Sequence, residues 1–135
     1  MNKKIVFKNK IEEVTRVAEF IEQVGEELEL SFAVINSIQL AIEEAVVNVI
    51  NYAYPKDKEC EAYLEVSKKD NAVYFVLSDT GVPFDPTAKS DPDLTLSADE
   101  RPIGGLGIFL VKQIMNEVTY EYSDGKNNLI MIKRI

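Results

Sequence analysis

Between residues 40 and 51 the chain reads Leu-Ala-Ile-Glu-Glu-Ala-Val-Val-Asn-Val-Ile-Asn. At 100° per residue, Glu44, Asn48 and Asn51 fall on one narrow stripe at i, i+4 and i+7. A broad apolar face lies beside it, made of Ile35, Ile38, Ile42, Ala45, Val46, Val49 and Ala53. Glu43 points elsewhere, as a solvated residue would. A carboxylate one turn from a neutral carboxamide has a definite chemistry. The Asn48 oxygen can ligate Mg²⁺, a hard cation that takes oxygen ligands and usually keeps waters and substrate phosphates. Glu44 can polarise a water or hydroxyl as a general base. Spacing alone also leaves open a plain solvated stripe.

Two further islands carry chemistry. Asp79-Thr80-Gly81 stands at the end of a strand-like run. Asp and Gly are ordinary turn formers, but an Asp there can also accept hydrogen bonds from a ligand amine while Gly lets the backbone come close. A purine amino group fits that description. Gly104-Gly105-Leu106-Gly107 opens a helix, where unpaired N–H groups and the positive end of the helix dipole favour a phosphate; a flexible hinge would use the same glycines. Neither common phosphate motif is present. Position 110 is leucine where a dinucleotide fingerprint needs glycine, and no Gly-Lys-Ser/Thr follows as a P-loop requires.

The elements that must position these islands are legible from periodicity. Residues 3–8 read as a first strand. Apolar residues at helical spacing from Lys10 to about Leu30 read as a first helix, and Ser31 reads as the N-cap of a second that runs to about Ala53 before Pro55. Runs 62–68 and 72–79 make a hairpin around Lys69-Asp70-Asn71. A third helix is expected from 104 to about 115, then strands near 117–123 and 128–134 joined around Asp124-Gly125-Lys126-Asn127. Residues 86–103 hold three prolines and few large apolar groups, the composition of a lid or a linker. Helices grouped with antiparallel hairpins predict a two-layer α+β sandwich.

Composition narrows the function classes. The chain has 135 residues, one domain's length, and 46% of them are apolar, enough for a core. The net charge of −8 argues against binding duplex DNA or an anionic membrane. With no histidine, His-based zinc sites, Ser-His-Asp triads and phosphohistidine chemistry are excluded within the chain, and the single Cys60 closes no intrachain disulfide. The basic start Met1-Asn2-Lys3-Lys4 is followed by too short an apolar run for a signal peptide. No 18-residue apolar window suited to a membrane span is expected either, so the expected location is the cytoplasm.

A helix carboxylate and carboxamide, an Asp-x-Gly turn, a lid and a glycine-led helix follow one another in that order. The set resembles the GHKL (Bergerat-fold) ATPases, specifically their stand-alone anti-sigma-factor serine/threonine kinases, over essentially the whole chain. Glu44-Ala45-Val46-Val47-Asn48 looks like the N box, residues 79–86 look like the first glycine box and Gly105-Leu106-Gly107 like the second. The resemblance implies one domain over 1–135, a mixed, mainly antiparallel sheet with helices on one face, and ATP held under a lid at about 86–103. It implies Glu44 as catalytic base, Asn48 reaching Mg²⁺ on the ATP phosphates, Asp79 on the adenine amine, Gly81 leaving room for the ring, and Gly104, Gly105, Leu106 and Gly107 around the phosphates. Arg101, the one arginine in the lid, is the candidate for reading the γ-phosphate. The implied partners are a small anti-sigma-factor antagonist as phosphoacceptor, a sigma factor, and a second copy in a homodimer. A nucleotide-gated interaction module with little kinase activity is the alternative. Two departures stand out: Pro83 occupies the place of a second glycine, and a late-strand threonine near the adenine has no clean counterpart, with Asn128 nearby.

Overall fold

A computed structural model describes residues 1–55, 57–88 and 105–135, with the backbone alone at 105 and 106. Arg101, Gly104 and most of the expected lid lie outside the described residues.

The order of elements is β1 (Asn2–Lys8), α1 (Glu13–Glu27), α2 (Phe32–Tyr52), β2 (Glu61–Lys69), β3 (Ala72–Asp79), α3 (Gly105–Ile114), β4 (Glu117–Ser123) and β5 (Lys126–Arg134). The strands form one sheet in the order β1-β2-β3-β5-β4. All four pairings among the described residues are antiparallel, where the resemblance implied a mixed, mainly antiparallel sheet. The connections explain this. Two of the pairs are tight hairpins; the excursion through α1 and α2 returns the chain antiparallel to β1, and the one through α3 sets β4 one strand away from β3, leaving the place between them for the antiparallel β5.

Local chemistry sets the boundaries. Ser31 caps α2 as expected, its Oγ accepting the Val34 N–H at 3.3 Å. Helix α1 stops three residues before the expected Leu30, because Glu29 turns left-handed (φ 58°) and the Leu30 N–H closes back on the Gly25 carbonyl at 2.9 Å. The β4–β5 connection is the two-residue turn Asp124-Gly125, with φ 53° and 73°. Both values are left-handed, as a type I′ hairpin turn requires. Strand β5 therefore begins at Lys126, two residues earlier than its apolar pattern predicts.

The core lies between the helices and one face of the sheet. Ile38, Ile42 and Val46 of α2 meet Leu64, Phe75, Leu77 and Met131 from the strands, with Val17 and Ile21 of α1 and Val111 of α3 closing the sides. Gly25 lets α1 approach α2 closely, since a Cβ there would stand 2.4 Å from Ile35 Cγ1. Among the described residues one helix, α2, is long and apolar enough to cross a membrane by length and composition, contrary to the expectation that no window is. Seven of its residues are buried in the core, which accounts for its apolar content.

Candidate nucleotide site

The Asp79 turn is built where three elements end. Asp79 is the last paired residue of β3, opposite Asn127 of β5. Both side chains are nearly inaccessible, at 7% and 6%. Asp79 Oδ1 accepts the Gly81 N–H and the Asn127 side-chain amide, each at 2.9 Å. Among the described residues none donates to Oδ2, which leaves that oxygen for an incoming amine.

Asn127 has no spare capacity. Its amide also donates to the carbonyls of Gly81 (3.3 Å) and Val82 (3.0 Å). Its carbonyl accepts the Phe84 N–H at 3.1 Å and the Tyr120 hydroxyl. Asn127 thus holds the backbone from 79 to 84 in shape and joins it to β4.

Behind the turn, the chain just past α2 supplies the second support. The Val82 N–H donates to the Ala53 carbonyl at 3.3 Å. A Cβ on Gly81 would lie 2.2 Å from that same oxygen. Gly81 is therefore required by the close approach of two backbones; in this structure its missing side chain faces Ala53.

Asp79 and Asn48 line one cleft, an open space of about 540 Å³. Its walls include Ala45, Val49, Leu77, Val82, Phe84 and Leu129, an apolar lining with few polar groups, as ligand clefts have. Glu44 sits one helical turn from Asn48, on the side of α3: its Oε2 lies 3.1 Å from where a Gly107 Cβ would be. Gly107 thus gives room for a carboxylate beside the first turn of α3. The N box and the second glycine box meet at this contact. Glu43 is half-buried, unlike the solvated residue expected. Burial, and then the neighbouring Glu44, push its carboxyl above the usual range.

Among the described residues no group of three or more His, Cys, Asp or Glu is placed to hold a metal ion. Asn48 lines the cleft, and its side-chain oxygen is of the kind that could reach a cation held on a phosphate ligand. Of the residues singled out in the sequence, Glu44, Asn48, Asp79, Gly81, Gly105, Leu106 and Gly107 fall within the described chain, and Arg101 and Gly104 do not. The late-strand residue at the turn is Asn127, not the neighbouring Asn128. Successive strand residues face opposite ways, and Asn128 accepts Ser78 Oγ at 2.6 Å on the other side of the sheet. Tyr54 and Tyr120 also hold the turn, and no local pattern in the sequence marks either. An Asp-Gly pair between two strands is the signal that could have found Asn127.

Comparison with known proteins agrees with this geometry. Residues 7–133 match the family model described as the histidine kinase-like ATPase domain. The serine-protein kinase RsbW of Staphylococcus epidermidis is 34% identical over 111 residues, covering 78% of this chain and 69% of that one. The anti-sigma F factor of Bacillus velezensis is 25% identical over 118 residues, 87% of this chain and 78% of that one. The serine/threonine-protein kinase BtrW of Bordetella bronchiseptica is 27% identical over 95 residues, 70% and 67% of the two chains. The solved structure of the RsbU and RsbW domains of a Mycobacterium tuberculosis protein shares the fold, with a TM-score of 0.71 at 15% identity. The match covers 99% of this chain, which spans about a third (32%) of that longer one. With its family model matched from β1 to β5 and a relative 34% identical over most of both chains, the chain belongs to the histidine kinase-like ATPase domain family, in the branch of the RsbW and anti-sigma F kinases.

Proposed function

We propose that this protein is a cytoplasmic, Mg·ATP-dependent serine/threonine-protein kinase that acts as an anti-sigma factor, phosphorylating a small anti-sigma-factor antagonist and separately holding a sigma factor. One observation carries the reading: Asn48 and Asp79 share one cleft while Glu44, a turn away, stands against the first turn of α3. Asp79 Oδ2 takes the base amine. The backbone N–H groups of Gly105, Leu106 and Gly107, at the positive end of α3, face the phosphates. Asn48 offers its oxygen to the Mg²⁺, which neutralises phosphate charge. Glu44 accepts the proton of the acceptor serine hydroxyl as that oxygen bonds to the γ-phosphorus and ADP leaves. On the resemblance, Arg101 and Gly104 are assigned to the phosphates as well.

The homodimer belongs to the same proposal. The sheet face away from the helices carries Tyr74, Val76, Ile130 and Ile132, half-buried and uncovered. Lys4 flanks this strip on the β1 edge, and Glu117 and Glu121 flank it on the β4 edge. A second copy turned about a two-fold axis parallel to the strands sets the β1 edge of one over the β4 edge of the other, unlike charges together.

The deciding experiment mixes the chain with Mg·ATP labelled at the γ-phosphate and a candidate antagonist protein. Transfer of label by the wild type, and its loss in Glu44→Gln with ATP binding intact, is the expected result. Unchanged turnover in Glu44→Gln overturns the base assignment. Nucleotide-dependent partner binding without transfer replaces the kinase with the interaction module.

A further inference from the structure

Tyr54 follows the end of α2 and is 8% exposed. Its hydroxyl accepts the Thr80 N–H at 2.9 Å, donates to the Glu61 carbonyl at 3.1 Å, and lies 3.4 Å from Thr80 Oγ1. The partners are telling. In the β2–β3 ladder the last pair is Tyr63 with Ser78, and continuing that register two residues would set Glu61 opposite Thr80. The Tyr54 oxygen thus stands between an N–H and a C=O that a longer ladder would bring face to face. It satisfies both, and it ends the strand pairing there.

The consequence falls on Asp79. Released from β2, residues 80–82 bend onto the chain just past α2. There Tyr54 holds the Thr80 N–H, the Ala53 carbonyl holds the Val82 N–H, and Gly81 has no side chain to keep the two backbones apart. The same bend brings the Gly81 N–H onto Asp79 Oδ1, which turns Oδ2 to the cleft. We infer that Tyr54 is a positioning residue for base selection: its hydroxyl splits the β2–β3 ladder and fixes the Asp79 turn against the end of the helix that carries Asn48. This rests on the reading that Asp79 receives the base amine.

The test compares binding of ATP with that of the purine nucleoside triphosphate lacking the 6-amino group, in wild type, Tyr54→Phe and Asp79→Asn, each with its unfolding midpoint. The expected result for Tyr54→Phe is an ATP affinity about tenfold weaker with the deaminated analogue held within twofold, so that the preference collapses. A parallel loss for both nucleotides, or no loss for either, overturns the inference, because a purely structural role moves the two together. Asp79→Asn separates the layers. If it leaves the wild-type preference unchanged, the base reading itself fails; if it abolishes the preference while Tyr54→Phe does not, only the role of Tyr54 falls. Should Tyr54→Phe not fold, amide exchange at Thr80 in the wild-type chain takes its place. Slow exchange that ATP slows a further tenfold, and the analogue does not, supports the role. Exchange at an unprotected rate overturns it.

Discussion

Asn127 stands directly opposite Asp79 across the β3–β5 ladder, and its side-chain amide donates to Asp79 Oδ1 at 2.9 Å. Every polar atom of Asn127 is engaged within the protein. Its part in the site is therefore to hold Asp79 and the backbone to 84, and it has no hydrogen bond left to offer a ligand. Replacing it with leucine of similar size removes the carbonyl that accepts from the Phe84 N–H and the Tyr120 hydroxyl, and the amide that holds Asp79. Asn127→Leu is expected to cost about 2–3 kcal/mol in urea unfolding and to weaken ATP binding at least tenfold by calorimetry.

The two glycines facing neighbouring elements should separate binding from chemistry. Gly81→Ala drives a Cβ into the Ala53 carbonyl, backbone against backbone, so the turn must leave α2. Loss of ATP binding together with a lower unfolding midpoint is expected. Gly107→Ala meets the Glu44 side chain instead of a backbone, its carboxylate at 3.1 Å and its Cβ at 3.9 Å. Phosphotransfer should fall well over tenfold with the KM for ATP within a few-fold, measured by steady-state kinetics.

Asn48, which lines the cleft, is the side chain proposed above to reach the cation. A nucleotide at a hundredfold excess over its Kd raises stability by about 2.7 kcal/mol. Thermal unfolding of the wild type should show a midpoint shift with Mg·ATP that chelation of Mg²⁺ reduces. In Asn48→Ala the magnesium-dependent part should vanish.

The uncovered sheet face gives a prediction independent of nucleotide. Ile132 lies in the apolar strip, opposite Glu117 in the β4–β5 register. Ile132→Glu adds a second carboxylate there without entering the core. Sedimentation should change from dimer to monomer with the fold retained by circular dichroism.

A pH-dependent contribution sits at the start of α1. Glu13 accepts Arg16 Nη1 at 2.8 Å and the Lys8 N–H at 3.0 Å. The Arg16 hydrogen bond first, then the Lys8 N–H, hold its carboxyl below the usual value of 4.5. A depressed folded pKa means the stabilisation is complete above about pH 4.5 and is lost as pH falls through the lower folded value. Glu13→Gln should therefore be less stable than wild type by about 1 kcal/mol at pH 7, with the gap closing at acid pH in parallel urea titrations.

Most of the fold was legible because its signals are local. Periodic apolar residues on α2, the Ser31 cap and the alternation in β2 and β3 all act within a few residues, and the structure keeps them nearly to the residue. The N box was visible for the same reason: Glu44 and Asn48 are one turn apart whatever surrounds them. The start of β5 was misplaced because Lys126 and Asn127 are polar and read as loop, while the two-residue Asp124-Gly125 turn assigns them to the strand.

By itself the sequence determined the element order, the three boxes and their family, because those depend on residue type and short spacing. Only the tertiary structure decided what each box faces: Asn127 on Asp79, Ala53 and Tyr54 behind the turn, Glu44 against Gly107. These contacts join residues 26 to 63 positions apart, and one register step would reverse which side chain points inward. Such partners are set by how the sheet pairs and how closely the helices pack on it, and neither leaves a mark on any one stretch of chain.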